Sequence, residues 1–478
     1  MRTIGNTPVD GEVRAVASGA LANGNTVIVN ADGTVSVVEG SDLSVGTPVD
    51  VGGSNRNIDL VSSTFDSNSN KVVVAYRDRD GSYYGTAIVG TVSGSTISFG
   101  TPVVFLSVTI QKPAITFDSS NNKIIIAVNA GGSQIATYVG TVSGASISFG
   151  SRVNLPSAPN YTSFIAATFD SNSNKVVLAW QDLSNSSYGT AIVGTVSGTS
   201  ISYGSFSVFE SASTGNITAT FDSNANKVVI SYKDNGNGGR GTAVVGTVSG
   251  TSISFGTPVA YNSSDANYPC IAFDSINNKV VVSFADQSNS YSGTSMVGTV
   301  SGTSISFGAK TVYYQGAVDG IATTFDSTTG QIVTLGRDSK LAYFGTVSGT
   351  TISYNSSISF SDGSLVDNNA MSIVFDSNSN KIVTPYRLSS ADFGKATVVS
   401  PASTNLTSEN YIGIAKGAAA DGTSAVVQTG CSINDAQSGL TAGQDYYVQT
   451  DGTLGLTAAD PSVLAGTAVS ATKLIVKG

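Results

Sequence analysis

The chain has no histidine, two cysteines and one tryptophan, and only 12% of its 478 residues are charged, where a typical domain carries about 25%. Each scarcity removes a class of chemistry. Without imidazole there is no His-based nucleophilic triad, no His-ligated zinc and no ordinary acid–base shuttle near neutral pH. Cys270 and Cys431 are too few for a disulfide framework or a four-cysteine metal site and read as free thiols. The net charge of −9, with 23 Lys+Arg against 32 Asp+Glu, disfavours sequence-independent nucleic-acid binding. No apolar run nears the roughly 18 residues of a membrane helix, and residues 1–20 lack the apolar core of a secretory signal. The expectation is synthesis in a cytoplasm without membrane insertion. What remains is 40% hydrophobic residues and a mean hydropathy of +0.13, enough to fold, with length for one to three domains.

A repeat dominates. Phe-Asp-Ser recurs at Phe65, Phe117, Phe169, Phe221, Phe273, Phe325 and Phe375, at spacings of 52 five times and then 50. Each copy resolves into four short strands, here a to d. Strand a ends at Phe-Asp (Ala219 to Asp222), and a Ser/Asn turn follows (Ser223 to Asn226). Strand b is β-branched (Lys71 to Tyr76) and strand c runs as Gly189 to Val196. A Ser-Gly-Thr turn leads to strand d (Ile253 to Val259), whose Gly and Pro mark a strand end or edge. No window carries apolar residues at helical spacing. Four strands per period of about 50 residues predict blades of a β-propeller rather than coils of a β-solenoid, and seven copies predict seven blades.

The ends sharpen this expectation. The seventh copy has strands a to c (Ser372 to Phe375, Lys381 to Tyr386, Ala396 to Val399) and then stops at Ser400-Pro401. Its missing strand d lies at the other terminus, where Gly40 to Val49 aligns without gaps on Gly94 to Val103. The N-terminal segment is therefore expected to close the ring by main-chain hydrogen bonds. Residues 1–38 and 405–478 share a second, smaller similarity. Leu21 to Gly24, Val29 and Asp32-Gly33-Thr34 match Leu440 to Gly443, Val448 and Asp451-Gly452-Thr453. Each reads as two strands around an Asp-Gly turn. The division expected is an N-terminal β segment (1–38), a propeller (39–404) and a C-terminal β region (405–478), the two ends forming one small β domain.

Three stretches at the C-terminal end carry a resemblance: Asn405 to Ile414, Ala436 to Thr453, and Ala465 to Gly478. They resemble the C-terminal module of virion structural proteins of marine tailed phages, notably cyanophages, and the blade motif is similar to repeats in such proteins. The resemblance implies a virion component of the tail-fibre or capsid-appendage kind, bound to other virion proteins through its terminal domain. It implies no enzymatic residues. A homotrimer would suit a tail fibre, but no heptad repeat supports one.

Several motifs imitate chemistry without completing it. Asp66 to Asn70 opens like a calcium loop, but Lys71 replaces the required glycine and no glutamate follows. Phe-Asp-Ser is similar to the Asp-box of sialidases but lacks its glycine and tryptophan. The Asp is expected to accept backbone N–H bonds across its own turn. The Ser-Gly-Thr turns lack the Gly-Lys-Thr and helix of a phosphate loop. Asp78, Asp182, Asp234, Asp286 and Asp338 recur after strand b, as a structural role requires and an asymmetric glycosidase pair does not. No cofactor or metal is expected.

Variation is more informative. The a–b and c–d turns, on one face of a meander, are nearly identical among copies. The b–c loops and d–a connections, on the other, diverge. Contact candidates there are Arg77, Asp78, Tyr83 and Tyr84; Tyr161; Trp180, Gln181, Asp182 and Tyr188; Tyr232, Lys233 and Asp234; and Tyr313 and Tyr314. Aromatic faces beside Asn, Asp and Arg suit sugars or proteins. The expectation is a non-enzymatic binder of a host-surface glycan or protein. The alternatives are a purely architectural capsid decoration or tail adaptor, and a polysaccharide-degrading spike. The competing explanation of the variation is drift in unconstrained loops, with the strand-end aromatics packing between blades.

Overall fold

The computed structural model describes residues 11–111, 113–131, 134–156, 164–366, 371–389, 393–459 and 461–477. It is all-β, with no α-helix among these residues. By internal contacts it divides into residues 44–400, and residues up to 43 together with those from 401 onward.

Within 44–400 every repeat is an antiparallel meander. In the third, strand a (Ile165–Asp170), strand b (Lys175–Asp182), strand c (Tyr188–Ser197) and strand d (Ser200–Tyr203) pair in that order. All five side chains from Val176 to Trp180 are fully buried. Burial on both faces follows from the alternation of a strand. Val176, Leu178 and Trp180 enter the core shared with the second repeat, and Val177 and Ala179 the core shared with the fourth. Each repeat thus lies between two neighbours. The series ends where it began: Val374, Val383, Ala396 and Val398 of the last repeat pack with Val51, Ile58, Val61, Val72 and Val74.

The turns explain their own uniformity. Asp66 Oδ1 accepts the N–H groups of Asn68 and Ser69 at 2.9 and 3.0 Å. The same pair of bonds forms at Asp118, Asp170, Asp222, Asp274, Asp326 and Asp376, as the sequence led us to expect. Each turn closes on a left-handed residue: Asn70, Asn122, Asn174, Asn226, Asn278, Gly330 or Asn380. These are residue types that tolerate that conformation.

Strand d does not run through the Gly-Thr-Pro of the repeat or its counterparts, such as Gly204-Ser205-Phe206. Gly204 still donates its N–H to Val193 O at 3.0 Å, then the chain breaks and pairs with strand c again at Ala191↔Ser207. A Cβ at this glycine would collide with the carbonyl oxygen of Thr251, in the c–d turn of the next repeat. Gly100, Gly150, Gly256 and Gly308 meet the next turn in the same way. Gly46 does so with Ser95 of the first repeat, and its N–H donates to Val398 O at 2.8 Å. Ser44–Val45 and Val49–Asp50 pair with Gly394–Ser400, the third strand of the last repeat. The sixth repeat carries Asn355 at the glycine position. The following repeat lacks the c–d turn that would exclude a side chain there.

The other unit mixes both ends of the chain. One sheet orders Glu12–Val16, Ser424–Gln428, Tyr411–Ala415, Thr26–Val29 and Val35–Val37. A second orders Ile433–Asn434, Lys473–Val476, Leu464–Ser470, Asp445–Val448 and Leu454–Gly455. The two Asp-Gly turns are near copies: Asp32 and Asp451 accept from the N–H of Thr34 and Thr453 at 3.0 and 2.9 Å, and from their hydroxyls at 2.7 Å.

Candidate functional site

The end of 44–400 that carries the b–c loops holds every ion pair found in this unit among the described residues. The loops are less free than their sequences suggest. Asp182 ends strand b and caps the loop, accepting from Ser184 N at 3.1 Å and Ser184 Oγ at 2.5 Å. Asp286 does the same with Ser288, at 3.1 and 2.7 Å, and Asp78 accepts from Gly81 N at 3.1 Å. The loops then close on two consecutive left-handed residues: Ser82-Tyr83, Ser186-Ser187, Gly238-Gly239 and Ser290-Tyr291. The carbonyl of the second residue accepts the N–H of Ile110, Thr214, Ala266 or Val318 at 3.0–3.2 Å, which ties loop to d–a segment. One backbone carries four different sequences.

This framework corrects much of the sequence reading. Trp180 and Tyr232 are fully buried, edge-on or tilted against Phe206 and Phe209 at 5.3 Å between ring centroids. They lie two residues before the end of strand b, on faces covered by the neighbouring repeat. Tyr313 is not in a loop but in the strand Thr311–Ala317, and it is buried. Its ring covers Gly293, and it packs on Tyr343 and Tyr354. Phe105, Phe209 and Tyr261 cover Gly85, Gly189 and Gly241 likewise, which explains the glycine at the start of strand c. Asp78, Asp182 and Asp234 are 1%, 5% and 6% exposed, withdrawn beneath their loops, and Asp78 and Asp182 cap them. Tyr161 lies outside the described residues.

Other candidates are present but committed. Arg77 forks onto Asp59, with both bonds at 2.7 Å, and Arg56 pairs with Asp78. Lys233 Nζ donates to Asp265 and to Asn267 Oδ1 at 2.8 Å, and Gln181 donates to Thr214 O. Tyr83 is the most exposed candidate at 41%, its ring beside the Arg77 and Arg79 guanidiniums at 5.3 and 6.0 Å. Tyr84, Tyr188 and Tyr314 are half-buried. Sequence reasoning passed over Tyr291, 39% exposed. Aligning the loops on their capping Asp would have found it, because Tyr83, Ser187, Gly239 and Tyr291 all lie five residues beyond that Asp.

Electrostatics divide equivalent positions. At Asp286 burial pushes the carboxyl up, but bonds from Lys310 Nζ at 2.7 Å, Ser288 and Asn262 outweigh it and hold the group below its ordinary range. At Asp234 burial prevails over the loop N–H bonds and the carboxyl is raised. Burial likewise raises Tyr76 and Tyr232, the latter further opposed by the Glu210 carboxylate, and pushes Tyr386 up to about 12. These phenols stay protonated at neutral pH. A cavity of about 240 Å³ opens among the beginnings of the a strands, lined by residues including Ser62, Phe164, Thr218, Tyr268 and Cys270. Among the described residues no three acidic, histidine or cysteine side chains converge as a metal site.

No family model and no curated protein matches the chain. Among solved structures it is similar to the BP39L lectin from Burkholderia pseudomallei, with a TM-score of 0.56 and 12% identity over 73% of this chain and 98% of the lectin. It is also similar to the β-propeller domain of Cps50 (Swd1) from Myceliophteria thermophila, with a TM-score of 0.50 and 8% identity over 75% of this chain and 99% of that domain. The fold is a β-propeller. At such identities the likeness concerns the backbone alone, so chemistry has to be argued from this propeller's own side chains.

Proposed function

We propose that residues 44–400 form a seven-bladed propeller whose ring is closed by the N-terminal strand, and that both termini build one small β domain. We propose further that the chain is a non-enzymatic virion structural protein of the tail-fibre or appendage type. Its terminal domain docks to other virion proteins, and its b–c end meets a glycan or protein on the host surface. The observation that carries this reading is the division of labour between the two ends of the repeats. One end presents the same Asp-bonded a–b turn in all seven repeats, and the other presents different side chains on a backbone that four repeats share and that an Asp caps in three of them. Loops in drift would not keep the Asp cap and the paired left-handed residues. The capped carboxylates also support binding over hydrolysis, since Asp78, Asp182 and Asp286 are engaged within their own loops. A propeller in the role of lectin has a precedent in the Burkholderia protein. Weak contacts from many copies on one particle add up to avidity.

The test is adhesion of the purified full chain to host cells, together with cryo-electron microscopy of the particle. Saturable adhesion and an outward-facing propeller are expected. An inward-facing propeller without adhesion would turn the assignment to the architectural alternative, a capsid decoration or tail adaptor. Release of reducing sugar from host polysaccharide would turn it to a degrading spike.

A further inference from the structure

We propose that Tyr83 and Tyr291, the second left-handed residues of two b–c loops, are contact residues for neutral pyranose sugars; this rests on the adhesive reading above. A tyrosine at positive φ sets its Cβ against its own backbone, a conformation that glycine adopts at no such cost. Tyr83 has φ +64° and Tyr291 φ +61°. The fourth repeat shows that this loop is built with Gly238-Gly239 and keeps the same hydrogen bond to the d–a segment, Ala266 N to Gly239 O at 3.0 Å. The rings do not complete a core, since they are 41% and 39% exposed. A strained, exposed aromatic where glycine would serve points to something outside the fold.

The surroundings select the ligand class. Around Tyr83 three arginines face three aspartates: Arg56 pairs with Asp78, Arg77 and Arg79 with Asp59, and Asp80 accepts from Asn57 N at 2.9 Å. Around Tyr291 the loop is uncharged, with Gln287, Ser288, Asn289, Ser290 and Ser292, and the Gln287 amide donates to the Tyr291 hydroxyl at 3.3 Å. An exposed ring without net charge around it, beside paired arginines at Tyr83 and among amide and hydroxyl groups at Tyr291, suits the C–H face and the hydroxyls of a neutral pyranose.

The experiment uses the full chain and two double variants, Tyr83→Gly with Tyr291→Gly, and Tyr83→Phe with Tyr291→Phe. Each is read on a printed array of neutral and uronic-acid pyranose oligosaccharides and by thermal melting. The natural chain is expected to bind neutral sugars, and the glycine pair to lose tenfold or more. Its melting midpoint should hold or rise by about 1–2 °C, while the phenylalanine pair retains most binding. Unchanged binding by the glycine pair would overturn the proposal. A midpoint lower by more than about 3 °C would do so too, because the rings would then be structural. Adhesion to host cells without any neutral sugar bound on the array would overturn the ligand class and leave the adhesive reading standing. Binding to neither would remove both.

Discussion

The two ends of the repeats use one device to opposite effect. At the a–b turns an Asp accepts two backbone N–H groups, the chain closes on one left-handed residue, and little is left to vary. At four b–c loops two left-handed residues close the turn, in three of them another Asp caps its start, and the positions between are free of backbone duty. Uniform sequence at one end therefore reports a backbone that specifies nearly every residue. Diversity at the other reports a backbone fully specified by three.

The largest expected effect probes the uniform end. Gly256→Ala places a methyl group against the Thr303 carbonyl of the next repeat, and should cost about 3 kcal/mol in chemical denaturation, the upper end of overpacking. Asn355→Ala, at the equivalent exposed position without a facing turn, should lie within about 0.5 kcal/mol of the natural chain. Equal costs would break the account of inter-repeat contact. Next comes the cap: Asp274→Ala strips the acceptor of two N–H groups and should cost about 1–2 kcal/mol, with Asp118→Ala closely similar.

At the variable end, Lys310→Met should cost about 1 kcal/mol at pH 7, discounted for the lysine's partial exposure. A depressed carboxyl lends stability above its unfolded value, near 3.9, and loses it as pH falls through the folded value. The melting curves of Lys310→Met and the natural chain should therefore converge as the pH falls through the depressed folded value of Asp286. Asp234→Asn should behave oppositely. The raised carboxyl lends its full stability below its unfolded value and loses it as pH rises through the folded value, so removing its charge is neutral or mildly stabilising at pH 7. The smallest effect is Ser187→Gly, which relieves a left-handed serine at φ +63° and should raise stability by about 0.5 kcal/mol. A loss there would mean that the loop backbone is held by its side chains.

Much of this was legible in the chain. Phe-Asp-Ser at fixed spacing announces a repeated meander, and Asp66 binds its turn as a short polar side chain before Ser/Asn residues does. The missing strand of the last repeat could be located by simple alignment of Gly40 to Val49. Trp180, Tyr232 and Tyr313 could not be placed this way. An aromatic residue at a strand end looks the same in sequence whether its ring meets solvent or a neighbouring sheet. The Asp residues after strand b were likewise visible as a pattern, but only their geometry shows Asp78, Asp182 and Asp286 turned inward as caps while Asp338 stays exposed beside Arg337.

The sequence by itself determined what is local and periodic: strands, turn types, the unit of repetition and the absence of imidazole chemistry. Hydrogen bonds within a turn and the alternation of a strand depend on neighbours a few residues away. Tertiary structure alone decided which strand-end aromatics are core, which glycines face a carbonyl of the next repeat, and whether Asp234 or Asp286 has a cation beside it. Those outcomes depend on packing between segments some 20 to 350 residues apart, where one strand's alternate side chains serve two different cores.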